Sequence, residues 1–174
     1  RNILCTVRDY NNLAHVQRVL ERTDTNRQDV VVMTARLLQG PSMGYSNLDE
    51  RMLFTNYEQL LFSRVIALAE KVGKHVALLV VPSSDIFQAT VLTAAQVDAV
   101  EIVAGRSAVL APAEQARRLG HAWEQVPNRP RRTLRFRVIA PDGRTNVFYL
   151  GAHTPQLAED DVELIHRLWL DLTQ

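Results

Sequence analysis

The 174-residue chain has one cysteine, Cys5, so no disulfide can close within it, and a reducing compartment is the simple reading. It has no excess of either charge. Twenty Lys and Arg stand against 19 Asp and Glu, which leaves no global field to gather nucleic acid or an acidic partner. It has no long apolar run either: a stretch such as VALLVV at 76–81 falls far short of the ~20 residues that a bilayer span requires. No leader-like stretch stands ahead of Ile3. The five histidines (15, 75, 121, 153 and 166) keep no metal-ligand spacing with one another or with Cys5, which argues against a metal site. Neither a Walker A loop nor a Gly-x-Ser-x-Gly elbow occurs, so catalysis is not expected. Internal repeats and low-complexity tracts are missing too.

What remains is a composition of 47% hydrophobic and 22% charged residues, ordinary for one globular domain over 1–174 with a real core. The chain opens on Arg1 rather than Met and reaches strand residues within two positions. The expectation is a domain of something longer, with a processed or trimmed terminus as the alternative.

Short apolar runs alternate with helix-period segments. Ile3–Val7 reads as a first strand, Asp9-Tyr10-Asn11-Asn12 supplies cap residues, and Leu13, Val16, Val19 and Leu20 recur at helical spacing. A β-branched strand follows at 29–38, then a loop over 39–53 containing Gly40, Pro41, Gly44 and Asn47. Thr55-Asn-Tyr-Glu58 has capping-box spacing, Phe54, Tyr57, Leu61, Val65, Leu68 and Val72 form one stripe, and Gly73 ends that helix. Val76–Val81 shows no alternation, the pattern of a strand covered on both faces. Further strand–helix units are expected at 86–104 and onward to 126, with Ala116, Leu119, Trp123 and Val126 inward. Four such units in succession imply a mainly parallel sheet with right-handed crossovers. Leu134, Phe136 and Val138 then alternate with Arg135 and Arg137, giving a strand with one wet face, and Pro141-Asp-Gly143 turns it into an antiparallel return at 146–150. A last helix after Thr154-Pro155 places Val162, Ile165, Trp169 and Leu172 on one side. Its acidic residues, Glu159, Asp160, Asp161 and Glu163, suit a helix N-terminus better than paired-carboxylate chemistry.

The stretch VEIVAGRSAVLAPAEQARRLGHAWEQV at 100–126 carries the most specific signal. A strand stops at Gly105, a turn Arg106-Ser107-Ala108 follows, and a helix opens near Pro112. A strand running through a small-residue turn into a helix is where a parallel α/β sheet holds phosphate, because the helix start offers unpaired N–H groups and a positive dipole end.

This layout, with a first strand ending just before Asp9, a long loop after strand two, and VEIVAG-R-S…Leu-Gly-His-Ala, resembles the universal stress protein superfamily. More narrowly, Val7-Arg-Asp-Tyr10, Thr23-Asp-Thr25, Gln28–Thr34, Tyr57–Phe62, Gly151–Pro155 and Asp161–Trp169 resemble the cytosolic carboxy-terminal domain of bacterial amino-acid permeases of the amino acid–polyamine–organocation superfamily. The resemblance implies a Rossmann-like α/β fold of mainly parallel strands with helices on both faces, here with an added hairpin and final helix. It implies a regulatory or assembly role at the cytoplasmic face of the membrane, with the transmembrane portion of the same permease and a second copy (a homodimer) as partners. The alternative it leaves open is a stand-alone adenine-nucleotide-binding stress protein, binding ATP or AMP, with slow ATPase behaviour.

The superfamily's nucleotide pattern is Gly, two residues, Gly, nine residues, then Gly with Ser or Thr. Its first glycine falls on Gly105, its second on Ala108, and its last pair is best matched by Gly120-His121, two residues late and without the hydroxyl. Asp9 matches the acidic residue after strand one, and Thr34 and Ala35 match the backbone that faces adenine. A loosened site would use Asp9, Thr34, Ala35, Gly105, Ser107, Gly120 and His121. The packing reading has Gly105 end a strand, Ser107 satisfy local backbone, Gly120 allow close helix–sheet contact and Asp9 cap the first helix. It is preferred, because the Ala108 methyl points toward any phosphate. Arg129, Arg131, Arg132, Arg135 and Arg137 form the one strong local charge feature. A solvated strand face is the first reading, contact of Arg129, Arg131 and Arg132 with anionic lipid the second, and nucleic acid is disfavoured for want of interleaved aromatics.

Overall fold

Residues 1–38 and 55–151 are described by the computed structural model of the chain. Within them the strands are β1 Asn2–Thr6, β2 Val30–Leu37, β3 Ala77–Ser83, β4 Ala99–Gly105, β5 Leu134–Ile139 and β6 Thr145–Leu150. The helices are α1 Ala14–Arg22, α2 Asn56–Lys71, α3 Ile86–Gln96 and α4 Pro112–Glu124. The strands make one sheet in the order β3-β2-β1-β4-β5-β6, parallel except for the β5–β6 hairpin. The parallel α/β architecture and the added hairpin are those expected, and the described element boundaries lie within a residue or two of those read from the pattern.

Helix starts follow local chemistry. Thr55 and Glu58 form the reciprocal capping box that their spacing predicts, with the Thr55 hydroxyl accepting from Glu58 N at 3.1 Å and the Glu58 carboxylate accepting from Thr55 N at 2.9 Å. Asp85 caps α3 by accepting from Phe87 N and Gln88 N. Gly73, at φ +67°, follows the end of α2 in the left-handed conformation that only glycine adopts freely. The hairpin turns on Gly143 at φ +93°, whose N–H donates to Ala140 O at 2.9 Å.

The sheet separates two apolar layers. Leu4, Val31, Met33, Ile102, Phe136 and Phe148 face α3 and α4, where Trp123 is fully buried. Ile3, Cys5, Val30, Val32 and Val103 face α1 and α2, meeting Val16, Leu20, Leu61 and Val65. The period of two along each strand assigns neighbours to opposite layers.

Four expectations are corrected. β3 is not covered on both faces: two crossovers in the same direction, β1 to β2 to β3, leave it at the sheet edge with Ala77 and Leu79 exposed. Tyr57 is not inward, being 47% exposed at the first turn of α2. Asp9 does not cap α1, whose cap position is Leu13 with no side-chain bond. The face of β5 carrying Arg135 and Arg137 is not merely solvated, because β4 sets the buried Glu101 carboxylate between them at 3.4 and 3.3 Å. The expected loop over 39–53, Phe54 of the α2 stripe, and the final helix with Trp169 lie outside the described residues.

Candidate functional site

β1 leads through α1 to β2 on one side, whereas β4 leads through α4 to β5 on the other. The carboxyl ends of β1 and β4 are therefore a point where the chain diverges, and the crevice there is the usual ligand position in an open α/β sheet. The loops over 7–13 and 106–111 form its walls.

The crevice is filled from within. Asn12 Nδ2 reaches across to donate to Arg106 O at 3.3 Å, and His15 Nε2 bonds Thr6 O at 2.8 Å. A carbonyl oxygen can only accept, so Nε2 carries the proton and Nδ1 is the bare acceptor. A Cβ placed on Gly105 would stand 2.9 Å from His15 Nδ1 and 3.0 Å from Asn12 Nδ2. The absent side chain that lets a phosphate approach such a glycine here admits an imidazole and an amide instead. Both His15 Nδ1 and Asn12 Oδ1 are buried without a hydrogen-bond partner among the described residues. Burial lowers the His15 pKa below the usual histidine value, against the opposing pull of the Thr6 carbonyl.

The remaining candidates divide. Gly105 ends β4 at the crevice, and Asp9 and Ser107 lie on the two loops that wall it. Asp9 is spent locally, its carboxylate accepting from Asn11 N at 2.9 Å and its carbonyl from Asn12 N at 3.0 Å. The Ser107 hydroxyl accepts from Val109 N at 3.0 Å and Leu110 N at 3.1 Å, occupying N–H groups that could otherwise face an anion. Thr34 and Ala35 do not end β2, which continues through Leu37; they lie inside the strand beside the start of the first loop, since Val7 N donates to Met33 O at 2.9 Å. Thr34 is buried there. Gly120 and His121 do not join the others. They sit eight and nine residues into α4, about 12 Å along it at 1.5 Å per residue. His121 is exposed, pairs with Gln125 at 3.1 Å, and lines a groove between α3 and α4 with Phe87, Leu92 and Arg118.

Residues outside the candidate set of the crevice organise its flank. The Tyr57 hydroxyl donates to Arg8 O at 2.6 Å, the Tyr10 and Tyr57 rings lie 5.7 Å apart, and the Arg64 guanidinium stands 4.5 Å over Tyr10. These contacts clamp the first loop to α2. Behind them Arg36 of β2 grips the buried Glu58 with both guanidinium arms. Burial works against the Glu58 anion, but the Arg36 hydrogen bond and the Thr55 cap outweigh it and hold the carboxyl below its usual range. One signal for the crevice was available: His15 precedes Val19 by four residues and so shares the buried stripe of α1.

Cys5 is fully buried, and burial, with the Glu101 charge adding, pushes its thiol well above the usual range, which makes it an unreactive core residue. Among the described residues, no group of three or more His, Cys, Asp or Glu could hold a metal ion, and no helix is long and apolar enough to cross a membrane.

No family model and no curated protein matches the chain. Solved structures do. One is a universal stress protein in complex with cAMP, at TM-score 0.51 and 15% identity, over 80% of this chain and 95% of that one. Another is a protein of the universal stress protein family from Burkholderia pseudomallei, at TM-score 0.52 and 17% identity, over 80% of this chain and 93% of that one. At such identities the likeness establishes the fold: a Rossmann-like α/β sheet of the universal-stress kind.

Proposed function

We propose that this domain of universal-stress fold is a non-catalytic regulatory or assembly module, acting as the cytosolic domain of an amino-acid permease, and that it has given up nucleotide at the β1–β4 crevice. One observation carries the reading: Asn12 and His15 occupy the space at Gly105 that a phosphate would enter. The spent Ser107 hydroxyl supports it. The permease assignment is supported by the sequence resemblance alone. Thermal unfolding with ATP, AMP and cAMP tests the crevice. A ligand at 100 times its dissociation constant stabilises by about 2.7 kcal/mol, which for a domain of this size raises Tm by roughly 5–11 °C. No shift is expected with any of the three, and a shift of that size refutes the closed crevice. The coding sequence upstream of Arg1 tests the permease role: membrane-spanning helices in frame support it, and a start codon close by removes it.

The second reading is an adenine-nucleotide-binding stress protein. It is favoured by the cAMP bound to a protein of the same fold. It requires the Asn12–Arg106 bond to break and His15 to move aside. A crystal grown with ATP would then show the triphosphate against residues 105–108.

A further inference from the structure

The opposite end of the sheet carries its own chemistry. The parallel strands begin there and β6 ends there, so Arg1, Asp98, the 127–133 segment and Gly151 are brought to one edge of the molecule. Arg132 donates through Nη2 to Asp98 Oδ1 at 2.7 Å and to Ala99 O at 2.9 Å. The Asp98 carboxyl is held below its usual range, first by the Arg132 hydrogen bond and in smaller part by Arg1. Among the described residues, the four arginines at positions 1, 129, 131 and 132 thus share this end with three carboxylates: Asp29 ahead of β2, Asp98, already committed to Arg132, and Glu124 at the end of α4. Neither Arg129 nor Arg131 forms an ion pair among the described residues.

Among the described residues, three buried N–H donors at this end have no acceptor: Arg129 Nη1, Arg132 Nε and the indole Nε1 of Trp123. The Trp123 indole is beneath Gly151, where an added Cβ would stand 2.8 Å from Nε1 and 3.5 Å from Arg132 O. Buried donors are ordinarily satisfied, so surplus positive charge combined with orphaned donors calls for an anion rich in acceptor oxygens. We propose that this end of the sheet is a phosphate-recognising surface whose occupant is an anionic phospholipid headgroup. The choice of lipid rests on the permease reading, which sets this domain beside a membrane. Arg135 and Arg137 of β5 lie outside this surface, being engaged with Glu101.

The test is co-sedimentation of the full chain with vesicles of phosphatidylcholine, alone or with one-third phosphatidylserine. Binding is expected only to the mixed vesicles. Each cation near an anionic surface is worth about fivefold, so Arg129→Gln with Arg131→Gln should weaken partitioning roughly thirty-fold. Neither arginine is in an ion pair among the described residues, so the fold should survive, and near-UV circular dichroism checks this. Arg144→Gln, in the turn at the other end and paired with Asp142, should change nothing. Equal binding to both vesicles, or binding indifferent to the double substitution, overturns the proposal. Millimolar inorganic phosphate, at ionic strength matched with chloride, should leave vesicle binding intact, and displacement by it would make free phosphate the ligand and overturn the lipid assignment. The upstream coding sequence is an independent result: vesicle binding without membrane helices sinks the permease reading, while helices without vesicle binding sink this proposal alone.

Discussion

Gly105→Ala probes the crevice directly. Adding one methyl to a strand end normally helps a protein slightly, because alanine restricts the unfolded chain and gains about 0.4–1 kcal/mol where the backbone can accept it. Gly105 is not among the glycines with positive φ, so its backbone offers no objection. The cost comes from neighbours at 2.9 and 3.0 Å on His15 and 3.0 Å on Asn12. His15 is 2% exposed and tied to Thr6 O, so its ring cannot retreat cheaply. Overpacking of this kind costs about 1–3 kcal/mol. The net effect is a destabilisation of about 1–2 kcal/mol, or a fall in Tm of roughly 2–8 °C. The assay is urea unfolding of four proteins: wild type, Gly105→Ala, His15→Ala and the double variant. With the imidazole removed only Asn12 Nδ2 still crowds the methyl, so Gly105→Ala should lose most of its cost in the His15→Ala background, with a coupling of about 1–2 kcal/mol. If Gly105→Ala stabilises the wild-type protein, the crevice is not filled as described.

Three further outcomes follow from the same contacts. His15 has a folded pKa below its unfolded value of about 6.5, so its contribution to stability is complete above that pH and fades as pH falls below it toward the folded pKa. His15→Gln should flatten the loss of unfolding free energy between pH 7.5 and 5, and an unchanged slope would assign the titration elsewhere. Glu58→Ala removes the capping box and one side of a buried ion pair, which should cost about 3 kcal/mol in urea unfolding at pH 7. The Glu58 contribution is present above its unfolded pKa of about 4.3 and is lost as pH falls through the lower folded value, so wild type and variant should converge in acid; a constant gap refutes the charge pairing. Ser107→Ala leaves two backbone N–H groups without their hydroxyl acceptor and should lower stability by about 1 kcal/mol with no change in response to nucleotide. A variant as stable as wild type would show that the turn does not depend on the hydroxyl.

The architecture was legible because its determinants are local. Hydrophobic period separates strand from helix, Thr55 and Glu58 announce the start of α2 three residues apart in sequence, and Gly73 and Gly143 sit where only a glycine turns easily. Alternating strands and helices leave little choice but right-handed crossovers, so a parallel sheet follows. The hairpin was equally plain from Pro141-Asp-Gly143 and the alternation of Leu134, Phe136 and Val138.

The state of the crevice was not legible, for it depends on residues from separate strands and helices meeting at one point. Gly105 is 93 residues from Asn12 and 90 from His15, and nothing in either segment reports the other. Glycine in that place fits an open phosphate cradle and an imidazole equally well until the β1–β4 register brings the two loops together. Likewise Leu78, Val80 and Val81 read as a covered strand, yet edge position is a property of strand order and not of composition. Glu101 and the two arginines of β5 became an ion-pair group only through the pairing of β4 with β5. Period and caps act over a few residues and are written along the chain, whereas a crevice, an edge and a shared charge are relations between distant segments that exist only once the sheet has formed.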